Sequence, residues 1–249
     1  MKYRRKFGLI GKNIEYSFSR KYFLEKFNSD TSLTGYSYEN FDIESINLIN
    51  SFISDKKLGG LNVTIPYKEK IIPYLDELSD EAKEIGAVNT ICFENNKRIG
   101  YNTDIFGFTE SLRVNSINNI DNMIIMGTGG AAKTIIYFCK KNKIPFNIVS
   151  RKNSKDYLSY RDIDHSFFKG NVLIINCTPV GTYPNINKCP DLPYNLVEKE
   201  NILYDLVYNP SETLFIKKGK EIGCKTLNGY EMLKFQAEMS WNLWTKSTE

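Results

Sequence analysis

Four short polar segments contain the side chains of this sequence that could act on a small molecule. They supply hydroxyls, amides, the ammonium of Lys68 and the carboxylate of Asp104. A positioned ammonium can both stabilise and protonate an oxygen on which negative charge develops, as it does when a ketone is reduced. Together these groups suit a polyhydroxylated acid as the ligand. The segments are residues 17–19, 62–68, 86–90 and 102–104.

A glycine-rich turn indicates a phosphate site in the second half of the chain. The all-apolar residues 123–126 are followed by G-T-G-G-A-A and then by a helical pattern. Backbone N–H groups at a helix start bind anions, and glycine leaves room for a pyrophosphate. The spacing G-x-G-G-A differs from the commoner G-x-G-x-x-G, so the turn alone leaves a chance match open.

The residues after the next predicted strand bear on which dinucleotide would bind. An acid at this place favours NAD, because it binds the ribose hydroxyls, whereas a basic residue favours the additional phosphate of NADP. Residues 150–155 are S-R-K-N-S-K, and the first acid is Asp156. Arg151, with Lys155 or Lys152, therefore predicts NADP, and a solvated basic loop is the alternative.

Hydrophobic periodicity predicts the elements that position these segments, and it alternates between strand-like and helix-like patterns. This alternation predicts an α/β fold with a mostly parallel sheet, followed by a doubly wound nucleotide-binding unit. The turn-forming pair Asn95 and Asn96 predicts a hairpin between residues 88–93 and 98–101. The other predicted strands are 7–10, 36–41, 61–65, 123–126, 146–149, 172–175, 202–204 and one around 226. The main predicted helices lie around 22–27 and over 46–53, 67–85 and 231–244.

Composition limits the class of protein. The 249 residues suggest two domains, and 41% hydrophobic residues can bury a sizeable core. The net charge of +4 comes from dispersed residues, which disfavours a nucleic-acid partner, and no apolar run approaches the roughly 20 residues of a membrane span. Five cysteines without a C-x-x-C pair indicate reduced thiols and no metal site. The single histidine, His165, is predicted to be a surface residue. We expect a cytoplasmic protein.

Six ordered motifs together resemble the shikimate dehydrogenase family. They are S-x-S at Ser17, N-V-T-x-P-x-K, G-A-V-N-T, N-T-D-x-x-G, the glycine turn and D-x-x-Y at Asp205. The resemblance implies an α/β substrate domain over residues 1–103 and 230–249, to which the C-terminal helix returns. It also implies an inserted Rossmann-like NADP-binding domain over residues 104–229.

The same resemblance implies reversible, NADPH-dependent reduction of 3-dehydroshikimate to shikimate, on the route to chorismate and the aromatic amino acids. Lys68 would be the general acid and base, with Asp104 as its partner, and the protein would be a monomer or homodimer. Besides these two, the implied substrate contacts are Ser17, Ser19, Thr64, Asn89, Tyr208 and Gln236. The implied cofactor contacts are Asp80, Gly127, Thr128, Gly129, Gly130, Ala131, Ser150, Arg151, Lys155, Leu206 and Gly229.

Other interpretations stay open at this point. The chain could be a quinate/shikimate dehydrogenase paralogue that uses NAD, or a non-catalytic relative that senses the ligand. Ser19 and Asp104 could each cap a helix, and Lys68 could be a surface lysine. The sequence also departs from the family pattern. Tyr16 and Arg20 stand where the family has His and Pro, Glu231 stands where many members have glycine, and only 13 residues follow Gln236.

Overall fold

The computed structural model describes residues 5–15, 17–53, 57–151 and 154–246. By its internal contacts the chain divides into two compact units, residues 1–103 with 237–249, and residues 104–236. None of the helices in these described ranges has the length and apolar content needed to span a bilayer.

The first unit is built on a six-stranded mixed sheet with the order β2-β1-β3-β5-β6-β4. Strand β1 pairs in parallel with both β2 and β3, β5 pairs antiparallel with β3 and β6, and β4 is parallel to β6. Asn95 and Asn96 have positive φ and form the turn between β5 and β6, which confirms the predicted hairpin. The strands are β1 (Lys6–Gly11), β2 (Ser37–Asp42), β3 (Leu58–Val63), β4 (Glu77–Leu78), β5 (Thr90–Glu94) and β6 (Lys97–Tyr101).

Apolar side chains cover both faces of this sheet, as alternation along the strands requires. On one face Ile10, Leu61 and Ile91 belong to an aliphatic cluster. On the other face Phe7 belongs to an aromatic cluster, and its ring centroid lies 5.0 Å from that of Trp244. The helices of this unit are α1 (Phe18–Ser29), α2 (Asp80–Ile85) and the end of the last helix, described below.

The second unit is built on a five-stranded, entirely parallel sheet with the order β11-β10-β9-β7-β8. In strand β7, residues 123–126 are all apolar and all buried. Met123 and Ile125 belong to one core cluster and Ile124 and Met126 to another, so a strand buried on both faces is apolar throughout. The strands are β7 (Asn122–Met126), β8 (Phe146–Val149), β9 (Val172–Asn176), β10 (Ile202–Asp205) and β11 (Lys225–Asn228).

Helices cover both faces of the parallel sheet. Phe108 of α3 and Ile135 of α4 belong to the cluster on one face, and Phe215 of α5 belongs to the cluster on the other. Between β8 and β9 the described residues contain no α-helix and cross over through two 3₁₀ turns, Tyr160–Asp162 and His165–Phe168. The helices are α3 (Asp104–Val114), α4 (Gly130–Asn142) and α5 (Leu214–Ile222).

The last helix, α6 (Tyr230–Lys246), spans the division between the units, which falls at residue 237. Its end returns to the first unit, where Trp244 is 1% exposed and its indole N–H donates to the Ile91 carbonyl at 3.0 Å. The assignment of substrate and cofactor to separate domains, with the boundary at residue 230, stays a prediction.

Two predicted helices are wrong. Over residues 67–85 the structure has a 3₁₀ turn at Ile72–Tyr74, the short strand β4 and then α2. Pro73 lacks an N–H and disfavours a helix through the preceding residue, and the Asp76 carboxylate binds Arg98 of β6 instead.

The stripe predicted over residues 46–53 is a 3₁₀ helix, Ile46–Ser51, rather than an α-helix. A 3₁₀ helix turns every three residues, so the positions that share a face differ from those of an α-helix. Ile49 and Ile53 are buried, whereas Leu48 is 50% exposed.

Gly60 in β3 lies directly against the indole of Trp244 in the last helix. A Cβ added there would overlap the Trp244 indole, whereas a Cβ added at Gly129 would meet no atom within 4 Å. We therefore expect Gly60→Ala to lower the free energy of unfolding by about 1–3 kcal/mol, the usual cost of overpacking a core. Urea unfolding followed by circular dichroism measures this change.

The matched control is Gly129→Ala, whose added Cβ meets no neighbouring atom. We expect it to lower the free energy of unfolding by less than Gly60→Ala does, by at most about 1 kcal/mol, because alanine is a poorer N-cap residue than glycine. If both variants lost the same free energy of unfolding, the Trp244 contact would not be the reason that Gly60→Ala is destabilising.

Candidate active site

The two serines near the N-terminus lie at the start of α1. Ser17 is the N-cap residue, and its side chain makes no capping hydrogen bond. Ser19 lies within the first helical turn and is 7% exposed, so the alternative that it caps the helix is wrong. Its hydroxyl is hydrogen-bonded to the buried phenol of Tyr38. Tyr16, the departure that precedes these serines, lies outside the described residues.

A chain of buried polar side chains continues from Tyr38 through the first unit. The phenol donates to Asn62 Oδ1 at 2.8 Å, and Asn62 Nδ2 donates to Ser240 Oγ at 2.9 Å. Ser240 Oγ lies 2.8 Å from Thr90 Oγ1 and 3.1 Å from Thr103 Oγ1. A buried polar group without a partner costs about 1–3 kcal/mol, so these bonds specify one arrangement of the strands that carry them.

Asn89 joins this network through Thr103. Its Oδ1 accepts from the Thr103 N–H at 2.6 Å, and its Nδ2 donates to Thr103 Oγ1 at 2.9 Å. Asn89 is 2% exposed. The amide is therefore held in one orientation before any ligand arrives.

Lys68 is positioned by its backbone. After β3 ends at Val63, the chain turns, and the Lys68 carbonyl accepts from the Val88 N–H at 2.8 Å while the Asn89 carbonyl accepts from the Val63 N–H at 2.8 Å. These two bonds hold the segment that carries Thr64 and Lys68 against the segment that carries Asn89. The structure thus brings three of the predicted substrate residues together, and Lys68 is half-buried there.

Three other predicted residues lie at helix positions. Asp104 is the first residue of α3 and is 5% exposed, and Asp80 is an exposed residue in the first turn of α2. A carboxylate at either place is favoured by the positive end of the helix dipole. Gln236 of α6 is 6% exposed, and its Nε2 donates to the Leu233 carbonyl at 2.9 Å.

The glycine turn fits a pyrophosphate. Gly127 has φ +116°, a conformation that L side chains rarely adopt, and a Cβ there would lie 3.1 Å from Thr178. Gly129 is the N-cap of α4 and faces open space, and the first turn of α4 contains no acidic residue. The helix start therefore presents N–H groups to a space that an anion can enter. Thr128, Gly130 and Ala131 complete the predicted turn.

A cavity of about 620 Å³ follows the end of β8. Arg151 and Ser150 line it, and their predicted contact with the phosphate of NADP stays a prediction. Lys155 is exposed and is not among the described residues of the lining, and Lys152 lies outside the described part of the chain. The lining residues are Ser150, Arg151, Ser154, Tyr157, Ser159, Tyr160, Arg161, Asp162 and Asp191.

Asp205, at the end of β10, accepts hydrogen bonds from three different residues of the second unit. Its Oδ1 accepts from Asn176 Nδ2 at 2.9 Å and from the Val207 N–H at 3.0 Å, and its Oδ2 accepts from Thr213 Oγ1 at 2.5 Å. Asn176 in turn accepts from the Thr178 N–H at 3.0 Å. One carboxylate therefore holds the loop after β10 and, through Asn176, the loop after β9.

These loops carry other predicted residues. The Leu206 N–H donates to the Asn176 carbonyl at 3.1 Å, and the Gly229 N–H donates to the Val207 carbonyl at 3.3 Å. A Cβ at Gly229 would overlap the Leu206 carbonyl, so only glycine allows this approach. Leu206 and Gly229 are thus brought together, and Tyr208 lies half-buried on the same loop.

Burial controls the charge of Asp205, which is 0% exposed. Burial raises the pKa of this carboxyl to about 6, and the hydrogen bonds from Thr213, Val207 and Asn176 partly oppose that rise. The ionised form is therefore present at neutral pH, although it is less favoured than in water.

His165 and the cysteines lie outside these arrangements. The His165 side chain is 58% exposed and its Nε2 lies 3.3 Å from Glu198, which confirms the predicted surface position. All five cysteines are free thiols, as predicted. Burial raises the pKa of Cys139 to about 12 and that of Cys224 to about 11, so neither is a ready nucleophile.

Sequence reasoning missed Ser240, Thr213 and Arg161, and it did not show which residues bind Asn62, although Asn62 opens the N-V-T motif. Ser240 and Asn62 are 178 positions apart, and no local spacing pairs them. Asp205 opens the D-x-x-Y motif, so its position was visible although its bonds were not. Thr213 and Arg161 carried no signal in the sequence beyond their residue types.

Comparison with known proteins decides the family. A sequence profile of the shikimate dehydrogenase substrate binding domain matches residues 9–91. A shikimate dehydrogenase (NADP(+)) from Clostridium beijerinckii is 42% identical over 251 residues, which cover 96% of this chain and 91% of the relative. The chain belongs to the shikimate dehydrogenase family. A shikimate dehydrogenase (NADP(+)) from Methanococcus vannielii is 39% identical over 96% of this chain and 90% of its own length.

A solved structure agrees with this family assignment. Shikimate dehydrogenase 1 from Peptoclostridium difficile superposes with a TM-score of 0.86 at 37% identity, covering 97% of this chain and 92% of that one. The predicted family, the two-domain α/β fold class and the NADP-dependent oxidoreductase class are thereby confirmed.

Asp205 gives the shikimate dehydrogenase fold a pH-dependent stability. The pKa of Asp205 is higher in the folded chain than the usual value near 3.9, so the folded state binds the proton more tightly than the unfolded state does. The stability that this protonation contributes is therefore lost as pH rises through about 6. We expect the free energy of unfolding of the wild type, relative to Asp205→Asn, to fall by about 1 kcal/mol between pH 5 and pH 7.5. Urea unfolding across that range measures it.

Asp164→Asn is the control. Hydrogen bonds from Ser166 lower the pKa of Asp164, so its contribution to stability stays constant above about pH 5. A difference between wild type and Asp205→Asn that is flat from pH 5 to pH 7.5 would contradict the assignment of an ionised, buried Asp205.

Proposed function

We propose that this chain catalyses the reversible, NADPH-dependent reduction of 3-dehydroshikimate to shikimate. The observation that carries the proposal is the pair of backbone hydrogen bonds that holds the Lys68 segment against the Asn89 segment. These bonds hold side by side the backbone segments that carry the Lys68 ammonium, the Thr64 hydroxyl and the Asn89 amide, and groups of these types suit a polyhydroxylated ketone acid. The family assignment supplies the reaction class.

The residues of the second unit supply what NADP needs. The glycine turn offers N–H groups and space to a pyrophosphate, and the cavity lined by Arg151 offers a guanidinium to an additional phosphate. Leu206 and Gly229 of the same unit, and Asp80 of the first unit, are further cofactor contacts that we propose. When bound, NADPH supplies the hydride that adds to the ketone carbon.

Lys68 provides the proton. Its ammonium donates to the ketone oxygen as the carbonyl becomes an alcohol, and the neutral amine takes that proton back in the reverse direction. Asp104 accepts a hydrogen bond from a substrate hydroxyl, which orients the ring.

The remaining polar residues orient the substrate. Ser17, Ser19 and Tyr208 bind its carboxylate, and Thr64 and Asn89 bind its hydroxyls, with Gln236 as a further contact. Ser17 makes no capping bond within the protein, which supports its use toward a ligand. A site that hydrogen-bonds a hydroxyl rejects analogues that lack it, because its own polar groups are then left unpaired.

A kinetic assay with 3-dehydroshikimate tests the proposal through the absorbance of the reduced nicotinamide. We expect turnover with NADPH, and a fall in kcat of about 10²–10⁴-fold in Lys68→Ala, because a positioned general acid contributes that much. Substrate binding, followed by calorimetry, should be retained. Lys70→Ala, which removes an exposed lysine two residues away, is the matched control and should keep its kcat.

Parallel assays separate the alternatives. Turnover mainly with quinate and NAD would assign the chain to a quinate/shikimate paralogue and contradict the role of Arg151. Binding of both ligands without turnover in the wild type would instead favour a ligand sensor.

A further inference from the structure

One face of β2, at the edge of the first sheet, carries three side chains that bind the segment after β1. Tyr38, Asn40 and Asp42 are every second residue of the strand, so they lie on the same face. Tyr38 is hydrogen-bonded to Ser19, as described above. Asn40 and Asp42 bind the backbone that leads to Ser17. None of these bonds is signalled by the S-x-S motif itself.

The carboxylate of Asp42 binds a turn of the backbone directly after β1. The Asn13 N–H donates to Oδ1 at 3.0 Å, and the Ile14 N–H donates to Oδ2 at 2.9 Å. Asn13 has φ +58°, and such a turn points successive N–H groups to one side, where an anion can accept from both. Asp42 therefore fixes the direction in which the chain leaves β1.

Asn40 binds the other side of the same turn. Its Nδ2 donates to the Ile14 carbonyl at 2.8 Å, and the same carbonyl accepts from the Ser17 N–H at 3.0 Å. Both backbone groups of Ile14 are thus bound by side chains of β2. The backbone of Ser17 is one hydrogen bond away from the residue that β2 holds.

The side chain of Ile14 fixes the turn from below. It is 7% exposed and belongs to the aromatic cluster of the first unit. A Cβ added at Gly11 would overlap both the Ile14 and the Thr64 side chains, so these two side chains lie against the end of β1. The Lys12 N–H also donates to the Ile65 carbonyl at 3.2 Å. The turn is therefore held against the segment that carries Thr64.

We propose that Asp42, assisted by Asn40, is a positioning residue for substrate binding, because it sets the place of Ser17 through the backbone of Ile14. The proposal rests on the proposed function, in which the Ser17 hydroxyl binds the substrate carboxylate. A hydroxyl binds well only at a suitable distance and direction, and a loop ordered in advance loses less entropy when the ligand arrives. Asp42 is exposed, so its removal leaves no cavity in the core.

Calorimetry of shikimate binding to the full chain tests this role by a double-mutant cycle. We expect Ser17→Ala and Asp42→Ala each to raise the Kd by about 5-fold or more. The double variant should bind no more than about 2-fold more weakly than Ser17→Ala, because two residues that act through one contact are not additive. Asp42→Asn, which keeps one acceptor oxygen, should recover part of the affinity.

Kinetics with 3-dehydroshikimate separate positioning from a general loss of structure. Asp42→Ala should raise the KM for 3-dehydroshikimate by about 5-fold or more, and should leave kcat and the KM for NADPH within about 2-fold, the pattern for a lost binding contact. Asn40→Ala removes the bond on the other side of the turn and should change the same constant in the same direction.

Asp30→Ala is the matched control. Asp30 is another exposed aspartate of the first unit whose carboxylate accepts a backbone N–H, that of Ser32 at 2.8 Å, beyond the other end of α1. Its Kd for shikimate should stay within about 2-fold of the wild-type value.

Two results would overturn the role of Asp42 alone: undiminished shikimate affinity in Asp42→Ala, or an undiminished further loss when Asp42→Ala is added to Ser17→Ala. A Ser17→Ala chain that binds shikimate as the wild type does would contradict the contact of Ser17, and the role of Asp42 with it. A wild type that does not bind shikimate would contradict the proposed function itself.

Discussion

A carboxylate that is removed from water must be supplied with hydrogen-bond donors, and in the second unit that requirement determines the shape of two loops. Asp205 draws one donor from Asn176, one from the Val207 backbone and one from Thr213. Because these donors come from different segments, the backbone after β9 and the backbone after β10 cannot move independently. The carboxyl ends of the parallel strands, where α/β sheets place their ligands, thus have a fixed geometry.

In the first unit, a buried network of neutral polar side chains fixes the geometry of the backbone. Its polar network uses hydroxyls and amides that can both donate and accept, so Thr90, Thr103 and Ser240 satisfy one another. The cost of burial is smaller for neutral groups, and the network holds the last helix against β3 and β5. Within this scaffold the Asn89 side chain is held by Thr103, and a backbone hydrogen bond from the Val88 N–H to the Lys68 carbonyl holds the neighbouring Lys68 segment.

The sequence predicted best those features that depend on local pattern. The all-apolar strand at Met123, the turn at Asn95 and Asn96 and the glycine turn are each specified within a few residues. The helix predicted over residues 67–85 failed because the pairing of β4 with β6, which is a long-range contact, outweighs helical periodicity.

For the candidate site, motif order supplied the candidate residues, whereas the contacts between them depend on the fold. The bond from Asn62 to Ser240 joins positions that no spacing rule connects. Arg151 lines the cavity beside β8, and the 3₁₀ turn Tyr160–Asp162 adds Arg161 to the lining, a contact that no local motif signals. The role of Lys155 stays a prediction.

The position of Trp244 has a consequence for how the chain is made. The aromatic face of the first unit includes Phe7 and Phe23, which are synthesised early, together with Trp241 and Trp244, which are synthesised last. On the ribosome, residues 104–236 are complete before that face can close, so the second unit is able to fold first. Until then the aromatic side chains of the nascent first unit lack the partners that the last helix provides, and exposed apolar surface of this kind favours aggregation.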